Sequence, residues 1–566
     1  MSGRDLYRSL VADRRLLVVL DNARSTRQVR MLLPGSSTCG AMLTSRRRLP
    51  ALTAHGAVMT MPLGVLRASE SAALIRSVAG ARRLSGAAVD VARLGGLCGH
   101  LPLAVRVAAA RLAAEPMLPV SAMVAELSDR MHVLERLSVE NGEISVTAAF
   151  ETSYAALDAD RARAFRLCSA HPGQEFGLAA AAALLDAQPD QAREWLRELS
   201  SNHLIQVTGE GRYSYHDLVR VFAARCAARY EPATEVAAAR HRALRWYLAA
   251  VARASGLIAP NHQLLLPPAP PVPVALHDRD QAFAWLERER TNLMHALSAA
   301  VTSNLHEIAW KLAHQLTPFL RLRGHRADLV STASIGLDAA RHLGDRDAEA
   351  ALLVCRAAAD FDYGDFVNGL ALQQQALAIR RETGDRHGEA VVLQNIGACY
   401  GWLADWDRAV RHLAAALDLG AQLGDPPALA IAHNNLGEAH LQRAEYAEAE
   451  AEFQRARSSY RQMGDVQGEA WAVHNIGMLW QAVGELDRAH DALHSALMLR
   501  ASTLRETCHA KRFQFPVHHL PLCRPAAATP RKAGPFPGRC SRCPRRSRPG
   551  PRRNRRTRPT AGWRRA

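Results

Sequence analysis

Two hydrophobic rhythms follow one another along the chain. Near its start, Leu16-Leu17-Val18-Val19-Leu20 is an unbroken apolar run that ends at Asp21-Asn22. Such a run reads as a strand covered on both faces of a parallel sheet, with Asp21 at the carboxyl edge, where open α/β folds place their ligands. Gly40-Ala41-Met42-Leu43, followed by Thr44-Ser45-Arg46, reads as a second strand, and Val58-Met59-Thr60-Met61 as a third short one. Residues 25–33, closed by Pro34-Gly35, are long enough for a helical crossover between the first two. Beyond this region the apolar period is helical. Aromatic residues are scarce at 5% and alanine is abundant, a composition for closely packed helices rather than large β-sandwiches.

The later part of the chain keeps a strict forty-residue step. Gly-Asp recurs at Gly344-Asp345, Gly384-Asp385, Gly424-Asp425 and Gly464-Asp465. Glycines return as Asn395-Ile396-Gly397, Asn435-Leu436-Gly437 and Asn475-Ile476-Gly477. Phe366, Trp406, Tyr446 and Leu486 supply a bulky group at one phase, and Ala376, Ala416, Ala456 and Ala496 a small one at another. Small residues let two helices approach, bulky ones fill the gap beside them, and the glycine of Gly-Asp ends a helix in a left-handed cap. Each unit is therefore a helical hairpin. The pattern resembles the tetratricopeptide repeat in a longer, forty-residue form and covers 341–500. Stacked hairpins make an α-solenoid whose concave side can hold a peptide or a protein segment. Asn395, Asn435 and Asn475 are candidates for that groove, or else helix-packing amides.

Between strand and repeats, Cys98-Gly99-His100-Leu101-Pro102-Leu103-Ala104 sets a proline in a helical pattern, and Tyr213-Ser214-Tyr215-His216-Asp217-Leu218 follows a Gly209-Glu210-Gly211 turn. With Asp21 and Thr44-Ser45-Arg46 ahead of them, this order resembles the NB-ARC (STAND) class of signal-transduction ATPases, in the version of AfsR-like (SARP family) transcriptional regulators. The resemblance implies that Asp21 is the Walker B acid facing magnesium, and that Thr44, Ser45 and Arg46 form the sensor beside the terminal phosphate. It further implies that Pro102 meets the adenine and His216 the β-phosphate of ADP. The segment Phe283-Ala284-Trp285-Leu286-Glu287-Arg288-Glu289-Arg290-Thr291-Asn292-Leu293 commonly links winged helix and repeats in such regulators. The expected chain is mainly α, with a partial α/β P-loop remnant at 1–75, a helical domain at 76–140 and a winged-helix domain at 145–230. A helical linker region at 231–340 carries a Pro-rich spacer at 260–274, and the repeats at 341–500 precede a tail at 501–566.

One departure matters for chemistry. Nucleotide-binding domains of that class cradle phosphates with a Gly-rich loop ending Gly-Lys-Ser or Gly-Lys-Thr. Residues 1–500 contain a single lysine, Lys311, after Trp310. The expectation is a chain that starts just before the Walker B strand and leaves Leu16–Leu20 with an unpaired edge. Asn22, an amide where a second acid often polarises water, cannot take up a proton. ADP or ATP with Mg thus belongs to the parent family and is expected to bind here weakly or not at all, and the chain is expected not to be an enzyme. The function expected first is a regulatory protein in which an ADP/ATP switch controls transcription through protein contacts, degenerate here. The alternative is a nucleotide-independent repeat scaffold.

Charge separates body from tail. The chain's formal +17 is carried by residues 501–566, with 18 Lys and Arg against the single acid Glu506, so residues 1–500 balance to zero. The Pro- and Arg-rich tail could neutralise polyanions without sequence preference, or be an out-of-frame segment; specific DNA contact is expected only through an N-terminal effector domain. The expected partners are a protein or peptide in the groove and a second copy through self-association. No apolar run reaches the roughly 18 residues of a membrane span, and the first ten residues lack a signal-peptide core. No membrane partner and a cytoplasmic location are expected.

Overall fold

The computed structural model describes residues 3–507 apart from 13, 24, 46–48, 54–58, 62, 130–133, 135–136, 140–143 and 260–273. Arg46, Val58, the spacer at 260–273 and the tail beyond 507 lie outside the described residues.

Helix Gly3–Val11 precedes strand Leu17–Leu20, which runs parallel to Gly40–Leu43 with Leu17 opposite Gly40 and Leu20 opposite Leu43. Helix Thr26–Leu32 is the crossover, capped by the Ser25 hydroxyl, which accepts from the Gln28 N–H at 3.2 Å. Met59, Thr60 and Met61 form no strand, so the sheet has two strands among the described residues. This corrects the expected third strand and the expected double covering. Leu17, Val19 and Met42 are 64%, 59% and 56% exposed, because no described element packs on their face. What core exists here is a small cluster of Ala23, Val29 and Leu52 with Leu20, Leu33, Leu43 and Leu49.

Helices Ala68–Ala79, Ala88–Leu97, Pro102–Ala114 and Val120–Ser128 form a bundle around Ile75, Leu94, Leu112 and Met123. The boundary expected at 75/76 falls inside Ala68–Ala79, so the helical unit begins earlier, at Ala68. Next, helices Ala159–Cys168, Leu178–Leu185 and Pro189–Ser201 surround a three-stranded antiparallel sheet. In that sheet Arg212–Ser214 lies between Glu175–Gly177 and Gln206–Gly209. Strands Gln206–Gly209 and Arg212–Ser214 form a hairpin, and helix Asp217–Tyr230 follows it. Phe165, Phe176 and Leu196 of this unit share one core with the bundle.

Helices Ala233–Ile258 and Arg279–Thr302 lead into five hairpins, at 306–343, 346–383, 386–423, 426–463 and 466–507. The hairpins start ahead of the expected residue 341 because Asn304, forty residues before Gly344, takes the same left-handed conformation (φ 57°) with Leu305 in place of Asp. At the repeated Gly-Asp pairs the glycine φ values are 68°, 73°, 62° and 70°. The carboxylates of Asp345, Asp385, Asp425 and Asp465 then cap the next helix, each accepting a backbone N–H three residues on, at 2.9–3.2 Å. Gly397, Gly437 and Gly477 mark the closest helix approach. A Cβ there would sit 2.6–2.7 Å from Leu413, Phe453 or Leu493 of the paired helix, nearer than carbon atoms tolerate. First helices of successive hairpins pack on one another, as 386–402 does on 426–442 and 426–442 on 466–483, while second helices stand further apart. The first helices therefore line the inner face of the curve. One core runs from Leu244 and Trp285 to Leu413 and Leu436, joining the linker helices to the solenoid.

Candidate functional site

The sequence-predicted nucleotide residues gather into two groups. In the first, Asp21 lies exposed just past Leu20, and Thr44 at the end of the neighbouring strand donates its hydroxyl to Asp21 Oδ1. Thr44 Oγ1 also accepts the Asn22 N–H at 2.9 Å, and the Ser45 hydroxyl donates to the Ala23 carbonyl at 2.7 Å. In the second group, Pro102 is the first residue of helix Pro102–Ala114, where its missing N–H costs nothing. Three residues before it, Gly99 (φ 58°) meets His216, whose Nε2 donates to the Gly99 carbonyl at 2.7 Å. A Cβ on Gly99 would run into the His216 ring, so glycine is required there both for φ and for space. The His216 Nδ1 is buried without a partner among the described residues. The two groups belong to different apolar clusters, that of Ala23, Val29 and Leu52 and that of Val105 and Leu218. Lys311 lies in helix His306–Arg323, paired with Glu307. Among the described residues no group of three His, Cys, Asp or Glu could hold a metal ion.

A second arrangement joins the unit around the three-stranded sheet to helices Ala233–Ile258 and Arg279–Thr302, and motif reading gave no sign of it. Its hub is Glu289, 4% exposed, on helix Arg279–Thr302. Glu289 accepts from the Arg212 guanidinium, from the Tyr247 hydroxyl at 3.3 Å and from Asn292 Nδ2 at 2.6 Å. Because the Tyr247 proton goes to Glu289, Tyr247 accepts from His171 Nε2 at 3.0 Å, and His171 Nδ1 in turn accepts the Gly173 N–H at 3.1 Å. Arg220 closes the loop on the Gly173 carbonyl at 2.8 Å and also donates to that of His171. Burial pushes the His171 imidazole down to about 3 and holds it neutral. Beside the hub is a cavity of about 430 Å³ lined by Trp246, Trp285, Gln281, Arg288 and Glu210. Glu289 and Asn292 both lie in the 283–293 segment singled out by resemblance; the signal available in sequence was a Glu and an Asn three apart on one helical face.

The inner groove is the third arrangement. The forty-residue step aligns Val391, Ile431 and Trp471 in one row, Val354, Gln394, Asn434 and His474 in the next, and Ala358, Ala398, Glu438 and Met478 in a third. Gln394 Nε2 donates to the Ala428 carbonyl at 2.7 Å, tying adjacent first helices together. Asn475 Nδ2 donates to Asn434 Oδ1 at 3.3 Å, which places Asn475 in helix packing, while Asn395 and Asn435 are half-buried on their helices. Asn434 is fully buried, and its Nδ2 has no partner among the described residues. One turn further on, the half-buried Glu438 carboxyl has no hydrogen bond or ion pair among them, and burial raises its pKa.

Fold and groove together define a tetratricopeptide-repeat protein, and the tetratricopeptide repeat family model matches residues 348–422. The chain is AfsR-like, with those repeats at its C-terminal end. It is 35% identical to the regulatory protein AfsR of Streptomyces griseus over 382 residues, 66% of this chain and 38% of that protein. It is 39% identical to the regulatory protein AfsR of Streptomyces coelicolor over 299 residues, 51% of this chain and 29% of that protein. The chain thus spans well under half the length of either relative. Among solved structures, BtubC from P. vanneervenii aligns at 19% identity, covering 40% of this chain and 95% of that one, with a TM-score of 0.35. The STAND protein with a tetratricopeptide repeat sensor, PH0952 from Pyrococcus horikoshii, aligns at 15% identity over 90% of this chain and 81% of its own, with a TM-score of 0.30. No described helix is long and apolar enough to cross a membrane.

Proposed function

We propose that the chain is a regulatory signal-transduction protein whose working surface is the inner groove of the solenoid, where it holds a segment of a partner protein. Occupancy of the groove shifts the population of solenoid conformations, and the Glu289 hub carries that shift to the winged-helix unit. The observation behind this reading is the register of the inner rows, which presents partly exposed apolar and polar groups, Val391, Ile431 and Trp471 with Ala398, Glu438 and Met478, at matching phases over three successive hairpins. The relatives' description as regulatory proteins supports the role. No residue is assigned a catalytic task.

The nucleotide switch of the parent family is a second reading, favoured by one observation, the unpartnered His216 Nδ1 beside Gly99. The residues present do not fit a magnesium nucleotide. Asp21 stands exposed in a separate cluster, and the only lysine of residues 1–500 is engaged with Glu307 in the solenoid. The test is retention of a random nine-residue peptide library on the full chain, repeated with Ile431→Arg and Met478→Arg. Peptide retention lost in both variants, with melting temperature unchanged, supports the groove. Equal retention by all three proteins contradicts it.

A further inference from the structure

We infer that Glu438 recognises a cationic side chain, an arginine in a basic segment of a partner protein. The inference rests on the groove reading above and adds the chemistry of the ligand. The solenoid itself gives no use for a carboxylate at this place. The equivalent positions in the other hairpins, at steps of forty residues, carry Ala358, Ala398 and Met478, so the helix packing is satisfied by small or apolar groups. Nothing in the described chain pairs with the Glu438 carboxyl, although it is withdrawn from water far enough for burial to raise its pKa. A carboxylate so placed is unfavourable until a cation arrives.

The surroundings suit a guanidinium. Toward the start of the same helix, one turn away, Asn434 is fully buried and accepts from Asn475 Nδ2 at 3.3 Å, so it belongs to the helix packing beneath Glu438 and leaves the carboxylate as the charged group of this row. Ile431, Trp471 and Met478 provide apolar surface for the aliphatic stem of a long basic side chain. Arginine fits better than lysine, because its planar fork meets a carboxylate with two parallel hydrogen bonds and is more weakly hydrated. Long-range charge points the same way. Residues 341–500 hold 14 Arg and no Lys against 23 Asp and Glu, so a basic segment is drawn toward the solenoid.

The test uses the full chain and the same nine-residue library. The retained pool is sequenced, and a retained peptide is resynthesised with citrulline, neutral and isosteric, in place of arginine. The expected result is arginine enrichment at one position and about tenfold weaker binding of the citrulline peptide, a typical charge-pair effect. Glu438→Gln should bind both peptides alike, whereas Glu448→Gln, on a second helix, should keep the difference. Three results would overturn the inference: a retained pool without basic residues, equal binding of the two peptides by the unaltered chain, or a preference for arginine that persists in Glu438→Gln. Retention of no peptide would overturn the groove reading along with it. A photo-crosslinker at Met478 that labels residues 508–566 or a second copy of the chain would also overturn it, assigning the cation to this protein itself.

Discussion

Glu289→Ala removes the acceptor of three donors at once. Tyr247 is fully buried and Asn292 is 4% exposed, while Arg212 keeps one further partner, Glu175, at 3.2 Å. Breaking a buried ion pair from one side costs about 3–5 kcal/mol, against about 0–1 for an exposed one. The cavity beside Glu289 and Arg212 lets water reach the orphaned guanidinium, so the lower end applies: about 3 kcal/mol. Trp246 and Trp285 line that cavity, which makes tryptophan fluorescence during urea unfolding a local probe. Arg212→Ala and the double variant complete a cycle with an expected coupling of about 2 kcal/mol, since the second deletion removes the charge the first leaves exposed. Glu382→Ala, which opens the exposed Arg346–Glu382 pair, is the comparison and should cost far less than Glu289→Ala. Equal losses for Glu289→Ala and Glu382→Ala would refute the hub.

Two further predictions concern stability. His171, held near 3 in the folded chain and near 6.5 when unfolded, is neutral only in the native state between those values. Its contribution is therefore complete above about pH 6.5 and declines by about 1.4 kcal/mol per unit as pH falls toward 3; His171→Gln should flatten the slope of melting temperature against pH between 6.5 and 4.5. Ala404 and Ala444 end first helices at φ 58° and 60°, where Gly364 and Gly484 serve in other hairpins. Replacing either alanine by glycine removes about 1 kcal/mol of left-handed strain, and the urea midpoint should rise; a fall would show that the turn is held by something other than its backbone.

The repeats were legible because each constraint recurs with its own residue type: glycine for the left-handed cap, aspartate for the next N-terminus, glycine again at the helix crossing. The first hairpin escaped because Asn304-Leu305 stands where later hairpins have Gly-Asp, so the left-handed turn persisted while the marker vanished. The apolar run at residues 16–20 gave the strand and its parallel partner correctly but not its exposure, which depends on what packs around a strand rather than on the strand itself. The motif at 98–104 and His216 do meet, through the Gly99 carbonyl. The Glu289 hub could not be read ahead, since His171, Arg212 and Tyr247 reach it from separated segments. Glu438 resembles any helix-surface acid until hairpin stacking places it between Ala398 and Met478.

Hydrogen exchange on the full chain, with an arginine peptide and with Mg-ADP added separately at about 1 mM, tests the central claim most directly. Mg-ADP at that level reveals any affinity better than about −4 kcal/mol. The account predicts peptide-induced protection in helices Pro426–Gln442 and Val466–Val483, and no change on adding Mg-ADP at residues 17–21, 99–102 or 216. Protection at those residues by Mg-ADP, with the inner helices unaffected by peptide, would contradict it.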